Sequence, residues 1–240
     1  MLRPMQSGSS SSLFSFPSES SSSSGSTQSV DSGYLSPVRN YHFFEDIKLA
    51  TMHRPYPKKQ ASSDTITYSA EDLTEASPIK ILIGLDLTSK NTQPYKSALA
   101  EKGIKYITKE KYEITDFFEE GGLSTEQIDL TVNKILKLQK DLVGIHCGAG
   151  NGRSGVIASA LSINKQYTTD KINSFDVTHS LRGSILKDTQ TYQVDTVTAK
   201  AVGIIREINP KAVERNQDVI SLYRYSHFIY KKTHYIIIIY

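Results

Sequence analysis

The stretch LVGIHCGAGNGRSGVIASALSINKQ, residues 142–166, changes character twice. LVGIH (142–146) is a short apolar run of the length of a buried strand. CGAGNGR (147–153) is a glycine-rich loop, and SGVIASALSINKQ (154–166) reads as a helix. A helix N-terminus presents unpaired N–H groups and positive partial charge. Gly148, Gly150 and Gly152, with Ala149 and Asn151 between them, let successive amides curl into an anion-binding nest. Arg153 can hold two phosphate oxygens with its planar fork, which lysine cannot do. The same field stabilises a thiolate at Cys147, and cysteines so placed titrate at roughly 3.5–7.5 rather than about 8.5. One loop thus binds a phosphoryl group and ionises the nucleophile that attacks it. Ser154 can donate a hydrogen bond to the sulfur and help it leave. His146 reads as an orienter of the loop rather than a proton carrier.

Working outward, IKILIGLDL (79–87) is a buried-strand pattern after Pro78. YKSALAEKG (95–103) reads as a helix ended by Gly103, and IKYIT (104–108) as a second strand. YEITDFFEEGG (112–122) starts extended and becomes a loop. Ser124 and Gln127 have the spacing of a capping box, followed by Ile128, Val132 and Ile135 on one helical face as far as Lys140. Helices are expected over 197–208 and 217–229, while 167–195 has no clear assignment. Strand and helix alternate, which predicts an α/β layer with a central, mostly parallel sheet flanked by helices. About 160 residues suffice for one core.

Residues 1 to about 40 are dominated by serine and cannot bury enough apolar surface to offset their ordering entropy, so a disordered arm is expected. YHFFEDIKLA (41–50) is read as a short docking helix and 51–65 as linker. This divides the chain into 1–65, arm and linker; 66–232, the folded domain; and 233–240, a short apolar tail with the character of an edge strand or an adhesive end. Ser-rich leaders are shared by transit peptides and by bacterial effectors delivered into a host cytosol. The arm is a candidate for docking a partner.

The chain has 240 residues, 38% of them hydrophobic, and a net charge of +3. Its lysines and arginines are dispersed, which argues against nucleic-acid binding. A single cysteine excludes an intramolecular disulfide and a multi-cysteine metal site, and fits a reducing, cytoplasmic compartment. No apolar run is long enough to span a bilayer.

HCGAGNGRSG (146–155) resembles the HC-x5-R-[ST] signature of the protein tyrosine and dual-specificity phosphatases. The resemblance implies a dual-specificity-like cysteine-phosphatase fold, with Cys147 forming a phosphocysteine intermediate. It also implies that Arg153 binds phosphate and stabilises the transition state, and that Ser154 aids breakdown of the intermediate. The family's general acid is an aspartate on a mobile loop roughly thirty residues upstream. Asp116 lies 31 residues before Cys147, with Glu119 and Glu120 as rivals. A glutamine in the closing helices sometimes positions the hydrolytic water. AVGIIREINPKAVERNQDVISLYRY (201–225) is similar to those helices, which makes Gln217 the candidate, against Gln190 and Gln193. No metal or organic cofactor is implied. Substrates would be phosphotyrosine or phosphoserine/threonine proteins, with phosphoinositides or inositol phosphates open. The sequence departs from the classical family in having no tryptophan, so the Trp-Pro-Asp acid loop is absent.

Other readings of the same residues are weaker. GNGRSG (150–155) fits G-x-G-x-x-G, but no acid-ended strand follows the helix, as a dinucleotide site requires. A Walker A loop needs Gly-Lys-[Ser/Thr], which is missing. A rhodanese-like sulfurtransferase also uses a cysteine loop, but the immediate Arg153-Ser154 pair favours phosphoryl transfer. Lys90, Lys96 and Arg182 read as solvated charges, one of them a candidate for the substrate entrance. A phosphate-binding adaptor is the non-enzymatic alternative.

Overall fold

The computed structural model describes residues 38, 40–54, 70–71, 73–75, 77–85, 93–108, 123–170, 172, 174–184 and 190–235, all within the compact unit Leu35–Tyr240. Strands β1 (His42–Phe44), β2 (Leu49–His53), β3 (Ile81–Gly84), β4 (Lys105–Thr108) and β5 (Val143–Cys147) form one sheet in the order β1-β2-β5-β3-β4. Only the β1–β2 pair is antiparallel. Strand β5 is central, with Thr51 and Ile83 on either side of Ile145. All five of its residues are buried, as a strand covered on both faces should be.

The helices are α1 (Gln93–Glu101), α2 (Thr125–Leu138), α3 (Gly152–Thr169), α4 (Thr196–Ile208) and α5 (Asn216–Tyr235). Strand alternation divides the core between the two faces of the sheet. Ile81, Ile83, Val143 and Ile145 pack with the apolar residues of α2 to α5. Leu82, Ala50 and Met52 pack with Tyr95 and Leu99 of α1. Helix α3 is buried along most of its length, from Gly152 to Tyr167, so it is the central helix of its layer. Helix α2 begins as its sequence predicts: Gln127 N donates to Ser124 Oγ at 3.2 Å and Ser124 N to Gln127 Oε1 at 3.0 Å.

Residues 41–50 do not form a docking helix. They form β1, a 3-10 turn (Glu45–Ile47) and the start of β2. Lys48 adopts φ +45° and its N–H closes the turn on Glu45 O at 3.0 Å, reversing the chain. Burial of Leu49, Ala50 and Met52 beside β5 outweighs the helix-like spacing. The folded unit therefore starts well before residue 66, and 42–53 belong to the sheet rather than to an arm. Helix α5 runs on to Tyr235, so the expected tail is helical at its start, and 236–240 lie outside the described residues. The unassigned stretch 167–195 holds the last turn of α3 and an antiparallel hairpin, β6 (Val177–Leu181) with β7 (Tyr192–Asp195). Residues 1–37 also lie outside the described residues.

Asp195 joins three elements of the helical layer. It is buried, and its carboxylate accepts from Thr198 N at 3.0 Å, Thr198 Oγ1 at 2.6 Å and Ser226 Oγ at 2.9 Å. Ser226 in turn meets Tyr167 Oη at 3.1 Å, and burial pushes that phenol above its ordinary range. Asp195→Ala removes the cap of α4 and strands buried hydroxyls. It is expected to cost about 3 kcal/mol, and Asp195→Asn, which can still cap, about 1 kcal/mol. Urea midpoints of the two variants check this, and equal midpoints would refute the network's role.

Candidate active site

Strand β5 delivers Cys147 to the C-terminal edge of the sheet, where open α/β sheets bind ligands. His53 at the end of β2 is its register partner, and Gly84 at the end of β3 is paired with His146. The chain then turns through 148–151 into α3, whose first residue is Gly152 and whose Ncap is Asn151. Sequence reasoning placed strand, loop and helix correctly, and the structure gives the loop its geometry. Gly150 adopts φ +84°, and its N–H donates to Cys147 Sγ at 3.2 Å. A Cβ on Gly150 would lie 2.6 Å from the backbone carbon of Met52 and 2.7 Å from His53 N, so the residue must be glycine for two independent reasons. At Gly155 a Cβ would press on Val213 N at 2.8 Å, which fixes how closely α3 approaches the 212–213 turn.

Cys147 is 3% exposed. That exposure suits a small hydrophobe, but the sulfur also accepts an amide of the loop that follows it, which a merely space-filling thiol has no need to do. Arg153 is half-buried in the first turn of α3. Ser154 is fully buried, and its Oγ has no hydrogen-bond partner among the described residues. The expected bond to Cys147 Sγ is therefore not made here; the contact that the sulfur does accept is the Gly150 amide. His146 is fully buried behind the loop, its Nε2 2.8 Å from Tyr106 Oη, with the two rings stacked 5.8 Å apart. Gly84 makes room for that pair, since a Cβ there would overlap Tyr106 Oη.

Asp116, its rivals Glu119 and Glu120, and Lys90 lie outside the described residues. Gln217 is exposed in the first turn of α5. Its rivals serve the β6–β7 hairpin: Gln190 Oε1 accepts from Tyr192 Oη at 2.9 Å, and Gln193 Nε2 donates to Ser180 Oγ at 2.8 Å. Lys96 and Arg182 are exposed, as expected of solvated charges.

Two asparagines that sequence reasoning missed brace the loop from outside. Asn40 Nδ2 donates to Ala149 O at 3.0 Å. Asn209 Nδ2 donates to Asn151 Oδ1 at 3.2 Å, and both of these residues are buried. Val213 is held at φ +58°, a rare conformation for a β-branched residue, with its N–H 3.4 Å from Asn151 O. Arg206 secures the same turn by donating to Ala212 O and Val213 O. Asn209-Pro210 is a visible chain-breaking signal, but nothing in its spacing points to residue 151.

The described residues contain no group of three or more His, Cys, Asp or Glu side chains placed to hold a metal, and no helix long and apolar enough to cross a membrane. Neither a protein-family profile nor a curated protein matches the sequence. Solved structures do match, and they show the fold: the chain has the fold of the protein tyrosine and dual-specificity phosphatases. PTPMT1 is similar over 80% of this chain and 97% of its own, with TM-score 0.52 and 14% identity. PTPMT1 in complex with PI(5)P gives TM-score 0.51 at the same coverage and identity. Kinase associated phosphatase, with its catalytic site cysteine substituted by serine, gives 0.51 over 83% of this chain and 97% of its own, at 16% identity.

Proposed function

We propose that the chain is a phosphomonoesterase working through a phosphocysteine intermediate on Cys147. The observation that carries this is the Gly150 amide on Cys147 Sγ, at the head of a glycine-rich turn that opens α3 and its half-buried Arg153. Substrate phosphate docks against the amides of Gly148, Ala149, Gly150, Asn151 and Gly152 and the Arg153 guanidinium. The sulfur lone pair forms the S–P bond as the P–O bond to the leaving group breaks. Asp116 gives its proton to the leaving oxygen, then takes one from water. That water attacks phosphorus, the S–P bond breaks, and Ser154 assists by rotating its hydroxyl on to the departing sulfur. Gln217 is the candidate to orient the water. His146, bonded to Tyr106, positions the loop.

Asp116→Asn should lower kcat by about 10²–10⁴-fold with little change in substrate binding. A normal kcat would transfer the acid role to Glu119 or Glu120.

The loop carries only Gly, Ala and Asn between cysteine and arginine, which favours phosphorylated proteins as substrates in a reducing cytoplasm. A phosphoinositide substrate is the second reading, favoured by the fold shared with PTPMT1, a protein whose solved complex holds PI(5)P. Phosphate release from a panel of phosphopeptides and phosphoinositides separates the two. Faster release from phosphopeptides is expected, and turnover confined to the lipids would reverse the assignment.

A further inference from the structure

We propose that Asn40 is a positioning residue for the cysteine loop, holding the peptide between Ala149 and Gly150 so that its N–H faces Cys147 Sγ. The two ends of that one peptide make the two decisive contacts. Its carbonyl, Ala149 O, accepts from Asn40 Nδ2 at 3.0 Å, and its amide, Gly150 N, donates to Cys147 Sγ at 3.2 Å. Rotating the peptide by half a turn would present a carbonyl oxygen to the sulfur, opposing both a thiolate and a phosphate oxygen.

Gly150 has no Cβ and sits at φ +84°, so no side chain of its own bars either orientation. The hydrogen bonds at the peptide's two ends both favour the one observed. Asn40 suits the task. It lies at φ +52°, a left-handed conformation that asparagine tolerates better than most residues, and this conformation begins the turn into β1. Strand β1 is in turn anchored to β2, whose end touches the loop at Gly150. The turn leading into edge strand β1 thus holds the Ala149 carbonyl. Asn209 braces the loop through the Asn151 side chain rather than through the 149–150 peptide.

The proposal rests on the phosphatase reading for the loop's purpose, and its test separates the two. Asn40→Gly keeps the left-handed backbone and deletes the donor. Asn40→Asp keeps the shape and sets a carboxylate oxygen against the Ala149 carbonyl. Cys147 is the only cysteine, so alkylation by iodoacetamide reports on that sulfur alone. In Asn40→Gly, the alkylation rate at mildly acidic pH, the thiolate ultraviolet absorbance and kcat on p-nitrophenyl phosphate should all fall, the two rates by roughly three- to tenfold, the range of one net hydrogen bond. Melting temperature should barely move, and Asn40→Asp should lose more. A folded Asn40→Gly with unchanged alkylation and kcat overturns the proposal, as does unfolding of both variants, which would make Asn40 a fold residue. A wild type without turnover whose alkylation still falls in the variants overturns the phosphatase reading and leaves Asn40 its role.

Discussion

Cys147→Ser is expected to abolish turnover of p-nitrophenyl phosphate, with a loss of about 10⁴-fold or more, while phosphate binding persists. The serine hydroxyl is nearly isosteric and can still accept the Gly150 amide that now meets Sγ at 3.2 Å. The amides of the loop and the start of α3 are backbone groups that the substitution leaves in place. What disappears is the nucleophile, since a hydroxyl without an adjacent base attacks phosphorus far more weakly than a cysteine sulfur. Melting should shift little, because the new hydroxyl keeps a hydrogen-bond partner in its buried site. Two measurements check this: release of p-nitrophenol, and titration with a phosphopeptide followed by calorimetry. Equal rates in wild type and variant would end the enzymatic reading. Loss of rate with retained phosphopeptide binding would support it and set aside the adaptor alternative.

Arg153→Lys should cost nearly as much, because the geometry of the charge matters more than its sign. Arg153 stands half-buried in the first turn of α3, directly after the glycine-rich loop. A guanidinium can give two parallel N–H bonds to two phosphate oxygens, whereas an ammonium on a flexible stem acts as a point charge. In phosphoryl transfer an arginine that meets the transition-state charge contributes about 10³–10⁵-fold. Arg153→Ala should lose that full range, and Arg153→Lys should recover only a small part of it. Both kcat and KM should worsen, since the guanidinium holds ground-state phosphate as well as the transition state. Steady-state kinetics on p-nitrophenyl phosphate reads the split. A lysine variant within a fewfold of wild type would mean that Arg153 supplies charge alone.

The sequence alone settled what lies close together along the chain. LVGIH, the glycine loop and the helix after it are local patterns, each fixed by periodicity, glycine freedom or capping, and they appear as β5, the turn and α3. The capping box at Ser124 is of the same kind, because donor and acceptor are three residues apart. Where local spacing was ambiguous, as in 41–50, the decision came from a partner strand nearly a hundred residues away: Leu49 pairs with Val143, and burial against β5 made a strand of what reads as a helix.

Only tertiary structure brought Asn40 to Ala149, Asn209 to Asn151 and Tyr106 to His146. These contacts span 109, 58 and 40 residues, and an isolated asparagine or tyrosine carries no mark of which distant atom it will meet. The residue types able to carry chemistry were visible in the order of amino acids. The hydrogen bonds that hold the loop, Asn40 to Ala149 and Asn209 to Asn151, exist only in the assembled fold.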